Sequence, residues 1–118
     1  MTTYELISGH LHRNVNGKDC FCALGIYAKE KGYSIEEIND RRYNLFAEPK
    51  HSEDIRKMNE ILAAYVSERG YVDDCTGVLI ANDNNENGIY TTPPEKIREA
   101  LRAVGIDVEL IDRRGRDF

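Results

Sequence analysis

Apolar residues recur at helical spacing in two segments of the chain. Between Glu53 and Arg69 they share one helical face, and Gly70 follows as a left-handed stop. Between Pro93 and Val104 a second apolar stripe ends at Gly105. The pattern therefore predicts two amphipathic helices. Their apolar faces consist of Ile55, Met58, Ile61, Leu62, Tyr65 and Val66 in the first, and Ile97, Leu101 and Val104 in the second.

Capping patterns predict where helices begin. A hydroxyl residue is followed three positions later by glutamate at Thr2–Glu5, Ser34–Glu37 and Thr92–Glu95, so that side chains and backbone amides can satisfy each other. In the last of these, proline stands at the first helical position. Ser52 precedes Glu53 and Asp54, whose charges suit the positive end of a helix dipole. The sequence thus predicts four helix starts.

Strands are predicted mainly in the second half of the chain. Apolar and acidic residues alternate from Ile106 to Leu110, the period of a half-buried strand. Gly77–Ala81 is a short apolar run and is predicted to be a strand. The polar segment Asn82–Gly88 then turns the chain, and Ile89–Thr91 is expected to return as a partner.

The segment Cys20–Ala28 is apolar on every side. Asp19 before it, as a cap, and Lys29, Lys31 and Gly32 after it favour a helix, and a helix that is apolar all round must be central. The resulting prediction is an α+β fold in a single domain, residues 1–118. Four to five helices pack round this buried central helix, with a small, mostly antiparallel sheet, and the tail 113–118 is expected to fray.

Composition limits the class of protein. The 118 residues are 41% apolar and 31% charged, with a formal net charge of −5, which disfavours a general nucleic-acid binder. We expect no membrane span and no signal peptide, because no apolar run approaches about 18 residues and the first residues lack basic and apolar blocks. Three cysteines cannot all pair, which favours reduced thiols and a cytoplasmic protein.

The thiol pair is the first candidate for chemistry. If Asp19 caps a helix, Cys20 and Cys22 fall in its first turn, where free amides lower a thiol pKa. A histidine would act as base and Asn82 or Asp83 would orient it, giving a cysteine-dependent hydrolase or transferase that uses Cys22 with His10 or His12. The alternative is that both thiols are core residues. The candidate bases are His10, His12 and His51.

The spacing of metal-ligand residue types points to two candidate metal sites. His10-Leu11-His12 and Cys20-Phe21-Cys22 carry zinc-ligand types, but one-residue spacing turns two helical side chains about 100° apart. Asp83–Gly88 matches the first half of a calcium loop, although Pro94 stands where the closing glutamate belongs. The same segment makes a good polar turn. We predict no metal and no cofactor, and keep a weak calcium loop as an alternative.

A resemblance gives some context. Asp19–Gly25 (Asp-Cys-Phe-Cys-Ala-Leu-Gly) resembles the Cys-x-Leu-Gly helix start of small uncharacterised accessory proteins of bacteriophages and actinomycetes. In those proteins a later Asn-Asp box precedes a Thr-initiated helix, similar to Asn82-Asp83 before Thr92–Leu101. The tryptophan that often precedes that box is missing here. The resemblance implies a phage-type context, no catalytic residue, and an Asn82-Asp83 turn that hydrogen-bonds the Cys20–Ala28 helix.

The sequence thus predicts a non-enzymatic binding module for a host protein or a small signalling ligand. This prediction is based on a chain that can form a well-packed core but shows no complete set of catalytic residues. Its candidate binding residues are Asn82, Asp83 and Tyr90, because rigid amphipathic tyrosine rings near loops favour partner contacts. Tyr33, Tyr43 and Tyr71 share that property. The sequence does not identify the partner or the oligomeric state.

Overall fold

Most strands lie at the two ends of the chain and the helices lie between them. The computed structural model describes residues 1–66 and 75–115, which form an α+β fold around one apolar core. The strands are β1 (Thr2–Leu6), β2 (His12–Val15), β3 (Lys18–Phe21), β4 (Asn85–Glu86), β5 (Ile89–Tyr90) and β6 (Val108–Asp112). The helices are α1 (Ala23–Glu30), α2 (Ile35–Arg41), α3 (Ser52–Leu62), α4 (Thr76–Asp83) and α5 (Pro94–Ala103).

The main sheet is mixed. Its order is β2-β3-β1-β6, with β1 parallel to both β3 and β6, and β2 antiparallel to β3. The sequence predicted a mostly antiparallel sheet, which holds only for the β2–β3 pair and for the separate β4–β5 hairpin. The difference arises because β6 is added beside β1 after the helical region, in parallel register, with Tyr4 opposite Leu110.

The predicted helix start at Thr2–Glu5 is wrong, because this segment is strand β1. Tyr4 and Leu6 are buried, while Glu5 between them is only half-buried and Thr3 is exposed, the two-residue alternation of a strand. β1 lies between β3 and β6, so its backbone groups are bonded on both edges. Pairing within the sheet therefore overrides the local capping pattern.

The apolar segment Cys20–Ala28 is divided between two elements. Cys20 belongs to β3, Cys22 is the residue that precedes α1, and Asp19 lies in β3 instead of capping a helix. Every residue of α1 from Ala23 to Ala28 is buried. The predicted helix is therefore present but begins three residues later, after a buried strand end.

The amphipathic helices and the last strand are confirmed. α2 begins with the predicted capping box between Ser34 and Glu37. β6 overlaps the predicted alternating segment but begins two residues later, at Val108, and extends to Asp112. α5 begins at Pro94 with Pro93, and not Thr92, at its N-cap. α3 ends at Leu62 and continues as a short 3₁₀ turn, so it stops earlier than predicted; the rest of that predicted helix, 67–70, lies outside the described residues.

The predicted strand Gly77–Ala81 is wrong, because this run lies inside helix α4. Its buried residues, Gly77, Val78, Ala81 and Asn82, follow helical spacing. A short apolar run carries no period that separates a helix from a strand. The predicted return of the chain is confirmed: β4 and β5 form an antiparallel hairpin, and both turn residues, Asn87 and Gly88, have positive φ.

The start of the predicted frayed tail is instead held in place. The Arg113 amide donates to Leu6 O at 2.8 Å, and Arg114 is only 5% exposed. The Arg114 guanidinium donates to Asn82 O and Thr92 O and pairs with Asp112. Residues 116–118 lie outside the described part of the chain. No helix within 1–66 and 75–115 is long and apolar enough to cross a bilayer.

We predict that Gly25→Ala destabilises the fold strongly. A Cβ at Gly25 would lie 1.9 Å from Leu11 O and 2.9 Å from Leu11 C. Both are backbone atoms, so α1 and the loop between β1 and β2 would have to move apart. We expect a loss of about 3 kcal/mol in the free energy of unfolding, measured by urea denaturation. The control is Gly17→Ala, which meets no atom within 4 Å and should lose about 1 kcal/mol from its positive φ alone. Equal losses in both variants would contradict the packing argument.

Candidate functional site

A cleft of about 390 Å³ lies between the loop after β1 and the end of α2. We call it the His10 cleft. Its lining combines two histidines, an arginine, an amide and a tyrosine with two apolar side chains and a glycine backbone. The lining residues are Gly9, His10, Leu11, His12, Ile38, Asn39, Arg42 and Tyr43. The two histidines that the sequence singled out therefore meet in one cleft.

One wall of the cleft is fixed by His12. Its Nε2 lies 2.8 Å from the Asp19 carboxylate, and its Nδ1 lies 3.1 Å from Nδ2 of Asn39 on α2. Its ring also packs on Phe21, with centroids 5.2 Å apart. The hydrogen bonds from His12 and then Asn14 lower the pKa of Asp19 below its ordinary value. His12 therefore joins the sheet to α2 and serves as a wall, with both ring nitrogens engaged.

The floor of the cleft is held by the Asn-Asp pair at the end of α4. Asp83 Oδ1 accepts from the Gly9 amide at 3.2 Å. The Asn82 side chain is 1% exposed; its Oδ1 accepts from the Ala23 amide at 2.9 Å, and its Nδ2 donates to Ile7 O at 3.0 Å and to Asp83 Oδ1 at 2.7 Å. The hydrogen bond predicted between this pair and the apolar helix is thus present. The pair positions the loop and does not itself line the cleft.

The opposite wall is formed by Arg42 and Tyr43. Sequence reasoning did not select Arg42, and it noted Tyr43 only among the tyrosines near loops. Arg42 has φ 52° and ψ −133°, a conformation that costs a residue with a side chain about 1–3 kcal/mol. It ends α2 and starts the 3₁₀ turn Arg42–Ala47. Tyr43 is 45% exposed, and desolvation, with smaller contributions from Cys22 and Asp83, raises the pKa of its hydroxyl. That hydroxyl is therefore protonated at neutral pH and can donate a hydrogen bond.

Cys22 lies behind this loop and not in the cleft lining. It is 2% exposed, its amide donates to Leu11 O, and burial raises the pKa of its thiol to about 12. Desolvation likewise raises the pKa of Cys20, whose Sγ lies 3.7 Å from Lys18 O. Thiols of this kind are protonated at neutral pH and are poor nucleophiles. The cysteine-enzyme hypothesis stays a prediction that this geometry does not favour.

Tyr90, the third predicted binding residue, lies outside the cleft lining. Its hydroxyl is 2.8 Å from Ser8 Oγ, and the Arg114 guanidinium stands 5.1 Å from its ring centroid. Tyr90 therefore joins the β4–β5 hairpin to the same loop that Asp83 holds. Its contacts assign it to the support of the loop.

The proposed calcium segment is divided between the end of α4 and the β4–β5 hairpin. Asp83 accepts a hydrogen bond from the Gly9 amide in the loop after β1, and Asn85 Oδ1 accepts from the Gly88 amide at 3.3 Å. These contacts favour the polar-turn interpretation. Within the described ranges, no group of three or more histidine, cysteine or acidic side chains is arranged to hold a metal ion.

His51, the third candidate base, lies in a separate buried network. It is 4% exposed; its Nδ1 is 2.9 Å from the Tyr27 hydroxyl and its Nε2 is 2.8 Å from the Tyr33 hydroxyl. Tyr27 donates to Asp54, so its oxygen accepts from Nδ1–H of His51. Desolvation, and next the charge of Lys50, lower the pKa of His51. The residue is therefore a neutral link between α1 and α3.

We predict that Asn82→Asp destabilises the chain by about 3 kcal/mol. A carboxylate still accepts from the Ala23 amide but cannot donate to Ile7 O, and it stands beside Asp83. Asn84→Asp is the matched control, because Asn84 is exposed and its amide makes only a long contact to Tyr65 O. Thermal and urea unfolding of both variants test this. A loss below about 1 kcal/mol at position 82 would show that the bridge is not required.

We also predict that His51 makes stability fall in mild acid. Because its pKa is below the ordinary 6.5, the unfolded chain takes up the proton first. The stability that His51 contributes is fully present above pH 6.5 and is lost as the pH falls through its lower pKa in the folded chain. Over that range the free energy of unfolding falls by at most about 1.4 kcal/mol per pH unit. Urea unfolding between pH 7.5 and 5.5 should show a shallower slope in His51→Gln than in His10→Gln. Parallel slopes would contradict the assignment.

The functional interpretation of the cleft depends on the contacts described above. This chain matches no family model, no curated protein and no solved structure.

Proposed function

We propose that this chain is a non-enzymatic binding module that takes a small ligand into the His10 cleft. The observation that carries the proposal is the arrangement of Arg42 and Tyr43. Both are exposed, both line the cleft, and both are presented by a strained turn opposite a loop that carries His10. A concave space with a few convergent polar groups and a ring is the common form of a small-molecule site.

The cleft is supported on both sides before any ligand arrives. Asn39 holds His12 from α2, and Asp83 holds the Gly9 amide from α4. Leu11 is fixed through its carbonyl, which accepts from the Cys22 amide. Walls fixed in this way lose little conformational entropy on binding, so more of the contact energy appears as affinity.

The size of the cleft favours a small ligand over a host protein. Its volume of about 390 Å³ is at the lower end of the range for small-molecule sites, about 300–1,000 Å³. The large apolar side chains that are exposed in the described residues lie on separate segments, and Tyr43 is the one among them that lines the cleft. They are Met1, Tyr43, Ile89 and Ile111. A host protein partner is therefore the weaker form of this proposal.

The wider context is proposed from the sequence alone. We retain a phage-type accessory protein in the bacterial cytoplasm as the setting, and helices packed round α1 as the arrangement of the core. The buried α1 and its contacts with α2, α4 and α5 support that arrangement. The cysteine-enzyme and calcium alternatives are weaker, because Cys22 is buried with a raised pKa and Asp83 is committed to Gly9.

We predict that Tyr43→Ala weakens small-molecule binding without unfolding the chain. The probe set is a mixture of nucleotides, sugar phosphates and amino acids, read by amide chemical shifts in ¹⁵N-labelled protein. A ligand should shift Gly9, His10 and Asn39, and Tyr43→Ala should weaken binding about tenfold, because stacking on an exposed ring contributes about 1–3 kcal/mol.

The matched control is Ile111→Ala, since Ile111 is also 45% exposed but lies on β6. It should bind like the unaltered chain. If none of the compounds shifts the cleft amides, or if the shifts lie elsewhere on the chain, the cleft is not a small-molecule site.

A further inference from the structure

We propose that the ligand of the His10 cleft carries an oxyanion, a phosphate or a carboxylate, attached to a planar ring. Arg42 receives the oxyanion, with His10 from the opposite side of the cleft, and Tyr43 receives the ring. This inference rests on the proposed function and goes further, because it assigns a chemical class to the ligand and a separate role to each of these side chains.

The first argument is the pairing of arginines in the described chain. Six of the eight arginines in the described residues stand within 4 Å of a carboxylate, and the two exceptions are Arg42 and Arg13. The paired residues are Arg41, Arg56, Arg98, Arg102, Arg113 and Arg114. In a chain with a net charge of −5, an arginine without an acidic partner at a cleft is unusual, and its guanidinium is available to a bidentate anion.

The second argument is the chemistry of the lining. Among the described residues that line the cleft there is no carboxylate, whereas His10, Arg42, the Tyr43 hydroxyl and the Asn39 amide all can donate hydrogen bonds. Two carboxylates accept hydrogen bonds from lining residues, and both have a further partner. Asp19 accepts from His12 and Asn14, and Asp83 accepts from the Gly9 amide and Asn82. An anion in the cleft would therefore meet donors and no carboxylate of the lining.

The third argument concerns the backbone at Arg42. The turn needs a positive φ, at which glycine carries no steric penalty. Arginine at this position costs backbone strain, and no carboxylate of the described residues lies within 4 Å of its charge. Tyr43 follows directly, so one turn presents a cation and a half-exposed ring side by side. Together they match a ring that bears an oxyanion.

The test compares phenyl phosphate, benzoate, phenol and benzylamine, titrated into the labelled chain and followed at the cleft amides. We expect phenyl phosphate or benzoate to bind at least about tenfold more tightly than phenol, and benzylamine to bind more weakly than phenol. Whichever oxyanion binds more tightly distinguishes a phosphate ligand from a carboxylate ligand.

The decisive variant is Arg42→Gln, which should weaken oxyanion binding about tenfold and leave phenol unchanged. Arg42→Gly gives a second readout: it should lose the same affinity while its melting temperature is unchanged or higher, because the positive φ is relieved. Arg13→Gln is the matched control, since Arg13 is exposed on β2, has no carboxylate within 4 Å among the described residues, and does not line the cleft. It should bind normally.

The possible outcomes separate the two proposals. If phenol binds at the cleft as tightly as both oxyanions, or if Arg42→Gln and Arg13→Gln behave alike, the oxyanion inference is wrong while the cleft remains a ligand site. If neither the ring compounds nor the probe mixture shifts the cleft amides, the proposed function fails together with it.

Discussion

The side chain of Asn82 is the contact on which the rest of the described structure depends. One buried amide accepts from the first amide of α1 and donates to the carbonyl that follows β1. It thereby joins α4, the start of α1 and the end of a central strand, three segments far apart in sequence. An amide is required because the site needs one acceptor and one donor, and no other uncharged side chain of this length offers both. Two buried backbone groups would otherwise be left without their observed partner.

The cleft is built outward from that bridge. Asn82 also orients Asp83, whose carboxylate holds the Gly9 amide, and the loop then passes over α1, where Gly25 lets Leu11 O approach closely. From there the chain enters β2, and His12 is fixed between Asp19 and Asn39. Each step is a hydrogen bond or a close contact between neighbouring segments. The residues of the lining that project into solvent are thus carried on a framework whose position is set by buried contacts.

The sequence predicted the parts of this fold that are decided locally. The faces of α3 and α5 and the alternation of β6 each repeat over enough residues to show a period, and the Ser34 box needs only its own neighbours. Thr2–Glu5 has an equally good box but lies between two parallel neighbours, and Gly77–Ala81 is too short to show a period. Local patterns could not predict the cleft either, because it depends on contacts between distant segments. Its histidines were noticed by residue type, but their meeting with Arg42 depends on long-range packing and on a backbone angle that no local pattern encodes.

Arg42 is where the proposed function and the stability of the fold make different demands on one residue. His51 and Asn82 are polar groups whose buried atoms have partners, so they contribute to the fold and their presence needs no ligand to explain it. Arg42 differs from these two residues, because its backbone is strained and no carboxylate of the described chain lies within 4 Å of it. The preceding residue, Arg41, is paired: its Nη2 lies 2.5 Å from the Glu48 carboxylate. Glycine would hold the same turn at lower cost. A side chain that lines a cleft beside an exposed ring, on a backbone conformation that costs energy, is what the proposed oxyanion contact requires, because a guanidinium makes its strongest contacts with oxyanions.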